Sequence, residues 1–171
     1  RDTKWAVNQY EGMVARFKET GDFKELYRED MRFAEGYWAN DRRPNYQADL
    51  WYNKNRNEIC WRLIGDRTTG KRLLSIGGGL WVEKEFLDGL LTSETIRTDL
   101  IGSDGVLEMD AERMPFPAES FDIVSCRDMI EHVLNEQQVF AEVKRVLRPE
   151  GLLLITTPNG YHNPIDGVIH L

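Results

Sequence analysis

The sequence predicts an α/β fold: a doubly wound, mostly parallel β-sheet of about five strands, with a helical region in front of it. Short apolar runs alternate with amphipathic segments from residue 71 to residue 157, which is the pattern of alternating strands and helices. The glycine triplet Gly77–Gly79 separates the first run from the first amphipathic segment. The last run, GLLLITTP at 151–158, is nearly all apolar before Thr156, as in a strand covered on both faces.

The first strand and the first helix lie on either side of the glycine triplet. Leu73, Leu74 and Ile76 predict a short buried strand. Apolar residues then recur at helical spacing, at Val82, Phe86, Leu87, Leu90 and Leu91. Glycines allow a tight bend and let a ligand approach the backbone closely. A strand, a glycine turn and a helix in succession aim backbone N–H groups at a nucleotide-like ligand.

Three more strands and a second helix follow along the chain. The strand candidates are TIRTDL (95–100), GVLEMD (105–110) and FDIVSC (121–126), before the run at 151–158. Asn135 is placed to cap a helix that runs to about Leu147. Pro149 and Gly151 then end that helix.

One connection conflicts with a regular alternation of strands and helices. Only the pentapeptide IGSDG separates the second strand from the third, whereas parallel neighbours need a crossover of about a dozen residues. Either the third strand is very short or a loop replaces the helix at this point.

Residues 1–70 differ in composition from the rest, and we expect them to form a helical, aromatic-rich cap on a core domain at 71–171. They contain 12 of the 18 aromatic residues and little strand pattern. Leu50, Ile59 and Leu63 recur at helical spacing. The aromatic side chains could line a lid or acceptor pocket, but we expect most of them to be buried against the sheet. The pocket candidates are Tyr37, Trp38, Tyr46, Trp51 and Tyr52.

Composition and charge limit the possible classes of protein. The chain has 171 residues and a net charge of −7. Residues 1–70 carry 13 Lys+Arg against 12 Asp+Glu, and residues 71–171 carry 9 against 17. An acidic core argues against a nucleic-acid substrate, because phosphate binding relies on Lys and Arg.

No apolar run reaches the roughly 18 residues of a membrane span. Cys60 and Cys126 form neither a zinc motif nor a disulfide framework, so we expect a reducing, cytoplasmic setting.

Three signals fall at the carboxyl ends of predicted strands, where an open parallel sheet binds its ligand. The first is the glycine triplet. The second is Asp99, which lies 20 residues after Gly79, at the spacing of a carboxylate that accepts hydrogen bonds from ribose hydroxyls. The third is Asp110 with Ala111, placed to meet an adenine edge. Together these signals are more specific than a glycine triplet alone.

Residues 72–158 resemble the class I S-adenosylmethionine-dependent methyltransferases, in particular the small type 11 methyltransferase domain. The matching stretches are LLSIGGG, TDL, MDAERMPFPAESFDIVSCRDMIEHV and EVKRVLRPEGLLLITTPN. The resemblance implies a Rossmann-like sheet in the order 3-2-1-4-5 and S-adenosyl-L-methionine as the cofactor, with S-adenosyl-L-homocysteine as its product. The cofactor site that it implies comprises Ser75, Gly77, Gly78, Gly79, Asp99, Leu100, Asp110, Ala111, Glu112, Cys126 and Arg127. Cys126 and Arg127 are expected to pass beneath the adenine.

The glycine turn departs from the family pattern at two positions. The family usually has Asp or Glu where this chain has Ser75, and another glycine where it has Trp81. A serine hydroxyl accepts a hydrogen bond but brings no charge to the ammonium group of the cofactor. Glu83, one turn into the helix, is a candidate for the missing acid. A glutamate at such a position is more often a solvated charge on the helix surface, and this is what we expect for Glu83.

His132 is the candidate general base for a hydroxyl acceptor, with Glu131 supporting it, because the family pattern places both on the ligand side after the fourth strand. The competing interpretation, which we favour, is that Glu131 and His132 only hold the strand-to-helix loop together by hydrogen bonds.

Two other chemistries compete with a metal-free methyltransferase. Asp128, Glu131 and His132, with His170, resemble the metal ligands of small-RNA 2′-O-methyltransferases; we expect no metal, since the same spacing is widespread in metal-free type 11 domains. A nicotinamide dehydrogenase is disfavoured because Val82 stands at the third glycine of G-x-G-x-x-G.

The sequence therefore predicts methyl transfer to a small-molecule acceptor of sugar, lipid-linked or natural-product type. The alternative from another class is a non-catalytic binding domain that retains the fold. The family fold continues with two antiparallel strands, whereas this chain ends at Leu171. Missing sequence, pairing of two copies along the 151–157 edge, or a naturally abbreviated domain would each account for this, and we expect missing sequence.

Overall fold

The structure is a computed structural model that describes residues 15, 18–22, 24, 25, 27, 28, 46–79 and 81–157. A five-stranded sheet forms its centre, and all neighbouring strands are parallel. The strands are β1 (Arg72–Ile76), β2 (Glu94–Asp99), β3 (Leu107–Glu108), β4 (Phe121–Arg127) and β5 (Leu147–Thr156). Their order is β3-β2-β1-β4-β5. The predicted α/β fold and strand order are therefore confirmed.

Three helices are described in full. They are α1 (Tyr46–Ile64), α2 (Trp81–Asp88) and α3 (Glu136–Val146). Helix α2 connects β1 to β2, and α3 connects β4 to β5. Single 3₁₀ turns at Gly65–Arg67 and Ile130–His132 follow α1 and β4. None of the helices in the described part of the chain is both long and apolar enough to cross a membrane.

The short connection between β2 and β3 is a loop, and β3 has only two residues. Ser103 and Val106 close this loop through paired backbone hydrogen bonds of 3.1 and 3.0 Å. Gly105 takes a φ of +70° inside it, which an L side chain rarely adopts. Both predicted explanations of the short connection are therefore correct: a loop replaces the helix, and β3 is very short.

Helix α3 ends as predicted, but the fifth strand begins earlier than expected. The Asn135 side chain accepts a hydrogen bond from the backbone N–H of Gln138 at 3.1 Å and so caps the helix. The strand starts at Leu147, which pairs with Phe121, and not at Gly151. A register shift after this first pair accommodates Pro149, because proline cannot donate to a regular ladder.

The two faces of the sheet bury separate hydrophobic clusters. Alternate side chains of a strand point to opposite faces. One cluster combines alternate residues of β1 and β4 with the apolar stripe of α3, and its members include Leu74, Ile76, Val124, Cys126, Val139, Val143 and Val146. The other combines the opposite face with α1 and α2, and comprises Cys60, Ile64, Leu73, Phe86, Leu87, Leu90, Ile123 and Leu154. Helix α1 thus shares a core with the strands that carry the glycine turn.

Helix α1 buries a different side from the one that its apolar residues indicate. The buried stripe is Asn53, Asn57, Cys60 and Ile64, at helical spacing. Trp51 and Tyr52 are 68% and 52% exposed. Our expectation of burial against the sheet is wrong for these two aromatic side chains. The same expectation agrees with the position of Trp61, which is partly buried. Its ring stacks on the Phe86 ring at a centroid distance of 6.2 Å, and its Nε1 donates to the Phe86 carbonyl at 3.0 Å. Tyr37, Trp38 and the Tyr46 side chain lie outside the described residues.

The stretch MPFPAES that carries part of the family resemblance is tied to α3. Arg145 donates to the carbonyl of Phe116 at 2.6 Å and to that of Met114 at 2.9 Å. Glu142 accepts a hydrogen bond from the backbone N–H of Met114 at 2.8 Å and is ion-paired with Arg145 at 2.7 Å. These family-specific residues therefore hold a loop in place at the start of β4.

Strand β5 lies at the edge of the described sheet. Its side chains Leu153 and Ile155 are each 40% exposed. Pairing of two copies along this edge, and the boundary between a cap at 1–70 and a core at 71–171, stay predictions.

Candidate cofactor site

The glycine turn is packed so closely that side chains are excluded from two of its positions. Gly77 has a φ of +73°, and a Cβ there would lie 2.6 Å from Cβ of Met129. A Cβ on Gly79 would lie 2.6 Å from Oδ2 of Asp99. Real Cβ atoms do not approach other heavy atoms within 3.0 Å. Gly77 and Gly79 are therefore required by the fold of the turn itself.

Strand β2 holds the turn through three successive residues. The guanidinium of Arg97 donates to the carbonyl of Gly78 from Nε at 3.0 Å and from Nη2 at 2.5 Å. The backbone N–H of Gly78 donates to the carbonyl of Thr98 at 2.8 Å. The N–H of Gly79 donates to Oδ2 of Asp99 at 3.0 Å. The turn and the acid are thus fixed relative to one another.

Asp99 is 3% exposed at the carboxyl end of β2. Its burial raises the pKa of the carboxyl group, and hydrogen bonds from the Gly79 backbone and the Tyr27 side chain act in the opposite direction. Tyr27 belongs to a segment that also places Lys24 in an ion pair with Glu108 of β3. Leu100 is half-buried next to Asp99. The acid predicted for the ribose therefore lies beside the glycine turn, with a residue of the N-terminal region against it.

Glu83 is buried, with 6% of its surface exposed, so our expectation of a solvated helix-surface charge is wrong. Its Oε1 accepts hydrogen bonds from the hydroxyls of Ser75 at 3.0 Å and Ser125 at 3.4 Å. These serines face each other in the ladder between β1 and β4. Helix α2 thus places a carboxylate on the Ser75 hydroxyl, at the position where the family pattern has an acid.

Arg127 pairs with this carboxylate and connects it to α1. Its Nη1 lies 3.0 Å from Oε2 of Glu83, and Nη2 donates to Oδ1 of Asn57 at 2.6 Å. The guanidinium carbon is 3.9 Å from the centroid of the Phe86 ring, a cation–π distance. Burial lowers the pKa of Arg127, and the Glu83 carboxylate counteracts this effect. The Arg127 side chain therefore contacts Glu83 and Asn57 in the interior.

Asn57 and Arg56 are site residues that the sequence analysis missed. Asn57 is 1% exposed, and Arg56 forms an ion pair with Asp128, which also accepts a hydrogen bond from Thr156 Oγ1 at 2.8 Å. The only signal for Asn57 in the sequence is a polar stripe, Asn53 and Asn57, in line with Cys60 and Ile64 along α1. Such a stripe is easily read as the solvent side of a helix.

The residues predicted for the adenine end form a turn at the sheet edge. Asp110 is exposed, and its Oδ1 accepts a hydrogen bond from the N–H of Glu112 at 2.8 Å. Ala111 packs against the core cluster. The Glu112 carboxylate accepts from the N–H of Asn135 at 2.9 Å, which ties this turn to the start of α3. Cys126 is 1% exposed in the core, and desolvation raises the pKa of its thiol to about 12, so its side chain packs and does not react.

His132 and Glu131 lie in the 3₁₀ turn after β4. Nε2 of His132 is 4.0 Å from Oε1 of Glu131. Glu131 Oε2 accepts a hydrogen bond from Thr157 Oγ1 at 3.2 Å, and the backbone N–H of His132 donates to the Met129 carbonyl at 3.0 Å. These contacts agree with the loop-holding interpretation for Glu131 and leave the role of His132 as a base a prediction.

The proposed metal ligands do not form a cluster within the described residues. No group of three or more His, Cys, Asp and Glu side chains suited to a metal ion occurs among them. Asp128 is engaged by Arg56 and Thr156, and His170 lies outside the described part of the chain.

Comparison with known proteins finds relatives whose names are those of methyltransferases. A family model described as a methyltransferase domain matches residues 91–155. The chain is 25% identical over 169 residues to the ubiquinone biosynthesis O-methyltransferase of Photobacterium profundum, covering 90% of this chain and 62% of that protein. It is 41% identical over 59 residues to the ubiquinone/menaquinone biosynthesis C-methyltransferase UbiE of Hahella chejuensis, covering 34% of this chain and 24% of that protein.

A solved structure agrees with these relatives. The phosphoethanolamine N-methyltransferase 2 of Haemonchus contortus, in complex with S-adenosyl-L-methionine, has a TM-score of 0.52 and 27% identity, over 60% of this chain and 28% of that one. The chain thus spans between 24% and 62% of the length of these three proteins. Residues 91–155 are thus similar to a methyltransferase domain, and the sheet order and the likeness to a methyltransferase solved with its cofactor agree with that similarity.

Proposed function

We propose that this domain binds S-adenosyl-L-methionine and transfers its methyl group to a small-molecule acceptor. The observation that carries the proposal is the direct hydrogen bond from the Gly79 N–H to the Asp99 carboxylate at 3.0 Å. It joins the two elements that a nucleoside ligand needs, a turn without side chains and an acid for the ribose hydroxyls. A Cβ at Gly77 or Gly79 would disrupt this cradle, so its residues fit the cofactor.

The remaining cofactor contacts follow the order of the strands. Asp99 takes the ribose, with Leu100 beside it, and the turn at Asp110, Ala111 and Glu112 borders the adenine. Glu83 supplies the carboxylate for the cofactor's ammonium group. Its carboxylate lies 3.0 Å from the Ser75 hydroxyl, so α2 replaces the charge that Ser75 lacks.

The bound cofactor supplies an activated methyl group, so the protein mainly has to position the acceptor and exclude water. Proton removal from a hydroxyl acceptor falls to His132, which lies beside the Glu131 carboxylate. This assignment makes His132 necessary for hydroxyl acceptors and dispensable for amine acceptors that enter unprotonated.

The acceptor atom differs among the relatives. Their names specify O-, C- and N-methylation. We propose a small molecule because the net charge of −7 disfavours binding of a polyanion such as RNA. A panel with a phenolic hydroxyl, an electron-rich ring carbon and a primary amine covers the three classes.

Calorimetric titration with S-adenosylmethionine and S-adenosylhomocysteine tests the proposal. The expected result is saturable binding of both ligands, weakened by D99N. D122N is the matched control, because Asp122 also accepts a backbone hydrogen bond, from Arg72 N–H at 2.9 Å, but at the opposite end of the sheet. Folded protein that binds neither ligand at roughly millimolar concentration would refute methyl transfer and favour a non-catalytic domain.

A further inference from the structure

The peptide unit between Gly78 and Gly79 is held at both ends by side chains of one strand. At one end, Arg97 donates to the Gly78 carbonyl from Nε at 3.0 Å and from Nη2 at 2.5 Å. At the other end, the Gly79 N–H donates to Oδ2 of Asp99 at 3.0 Å. The carbonyl and the N–H of this unit point in opposite directions, since its bond is trans. Arg97 and Asp99 are alternate residues of β2, and their side chains therefore leave the same face of the strand.

This peptide unit needs an external restraint because a glycine stands on each side of it. Its rotation changes ψ of Gly78 and φ of Gly79, and glycine populates both signs of φ readily. A reversed unit would present the Gly78 carbonyl to the Asp99 carboxylate, so that two acceptors without a proton would face each other. The preceding unit is held by the backbone, through the hydrogen bond from the Gly78 N–H to the Thr98 carbonyl at 2.8 Å. The carbonyl of the Gly78–Gly79 unit is held by a side chain.

The charges of Arg97 and Asp99 act on opposite ends of one conjugated group. Hydrogen bonds with an ionised partner are roughly twice as strong as those between neutral groups. Resonance couples the carbonyl of a peptide unit to its N–H, so a guanidinium on the carbonyl makes the N–H a better donor. Arg97 therefore strengthens the hydrogen bond between Gly79 and Asp99 through the peptide itself.

We propose that Arg97 is a positioning residue for the ribose of the cofactor: it fixes the Gly78–Gly79 peptide, which in turn fixes the Asp99 carboxylate. This inference rests on the proposed function and adds a residue that neither the glycine motif nor the family resemblance implies. A carboxylate offers about four acceptor sites, so a hydrogen bond to Oδ2 sets its orientation and leaves sites for the ribose hydroxyls. An acid that is oriented before the ligand arrives binds it at a lower entropic cost.

Amide hydrogen exchange of the ligand-free protein tests the restraint by itself. R97M keeps the unbranched apolar stem and removes every donor. In this variant the Gly79 N–H should exchange about 3- to 10-fold faster, the effect of losing about one hydrogen bond. R97K keeps the charge but not the planar fork of donors, so its rate should lie between those of wild type and R97M. The Met114 N–H is the internal control, since it also donates to a carboxylate, that of Glu142 at 2.8 Å, and its rate should not change.

Two ligands that differ only in the ribose test the consequence for binding. S-adenosylhomocysteine has both ribose hydroxyls, and its 2′,3′-dideoxy analogue has neither. Wild-type protein should bind S-adenosylhomocysteine more tightly. R97M should lower the affinity for S-adenosylhomocysteine about 3- to 10-fold and change that for the analogue less than about twofold, so the affinity ratio falls. R97K should restore part of the ratio. A merely structural role would weaken the binding of both ligands equally.

R72M is the matched control variant. Arg72 also lies in the sheet and donates to a backbone carbonyl, that of Ser120 at 2.8 Å, but at the amino end of β1. Its replacement should leave the Gly79 exchange rate and the affinity ratio at their wild-type values. Combining R97M with D99N tests whether Arg97 acts through Asp99. Once the acid is gone, R97M should change the affinity for S-adenosylhomocysteine less than it does in wild type.

The outcomes separate the two proposals. If wild-type protein binds neither ligand, the proposed function fails, and the role of Arg97 in cofactor binding falls with it. If it binds S-adenosylhomocysteine and R97M leaves the affinity ratio unchanged, the role of Arg97 is refuted and the proposed function stands. Faster exchange at Gly79 without a change in the ratio also refutes it, since Arg97 is then structural only. Protection of the Met114 N–H reports that a variant is folded, and R97K decides the matter if R97M is not.

Discussion

Replacing Gly79 by alanine tests the central geometry of the site. The added Cβ would lie 2.6 Å from Oδ2 and 3.1 Å from Cγ of Asp99, so the carboxyl group must move and its hydrogen bond to the Gly79 N–H must weaken. Overpacking of this kind costs about 1–3 kcal/mol, and we expect G79A to lower the free energy of unfolding by that amount. The affinity for S-adenosylhomocysteine should fall about 10- to 100-fold, since a hydrogen bond to a charged group contributes about 1.5–3 kcal/mol.

Urea denaturation and calorimetric titration measure the two effects. G65A is the matched control, because a Cβ on Gly65 would meet nothing within 4 Å and Gly65 has no positive φ. Such a substitution is neutral or stabilises by up to about 1 kcal/mol. The clash itself is isolated by D99A. This change leaves the Asp99 Cβ at 3.5 Å from the added methyl group, an ordinary contact, so G79A should cost less stability in the D99A background. Equal stabilities of G79A and G65A, or no coupling with D99A, would refute the reasoning.

Two further predictions concern stability. Burial raises the pKa of Asp99 above its ordinary 3.8, so the folded protein binds this proton more tightly than the unfolded chain and loses stability as the pH rises through the interval between the two values. The free energy of unfolding of D99N should therefore increase relative to that of wild type as the pH rises from about 3.5 to 7. Urea titrations measure this difference, and a difference that stays constant with pH would contradict the prediction. R145A should lower the free energy of unfolding through loss of its hydrogen bonds to two loop carbonyls. K144A, at an exposed neighbour on α3, should change it less, by under about 0.5 kcal/mol. Equal effects of the two substitutions would show that the loop does not depend on Arg145.

The fold was predictable because its signals are local. Leu73, Leu74 and Ile76 form a strand because a short, mostly apolar run suits a sheet that is covered on both faces. The start of α3 follows from its Asn135 cap and its end from Pro149, since both signals act within a few residues. The start of β5 was missed because Leu147 pairs with Phe121 across the sheet, and no local pattern encodes that register.

The site was predictable in part. The glycine triplet and Asp99 are recognisable by type and spacing, and they do lie together. The environment of Glu83 was not predictable, because its burial depends on α2 folding back over β1 and β4. The buried side of α1 was missed for a similar reason. Its apolar residues Trp51 and Tyr52 indicated one side, whereas the polar Asn57 faces the core to meet Arg127.

The sequence by itself determined the class of this protein: alternating strands and helices, a glycine turn and strand-end acids that indicate a nucleoside cofactor. Only the tertiary structure decided which polar side chains share the interior. Glu83 and Arg127 are 44 residues apart in the chain, and Asn57 and Arg127 are 70 apart. Such partners meet only after three elements have packed, because a buried charge is tolerated only where the completed fold supplies its counterion and hydrogen bonds.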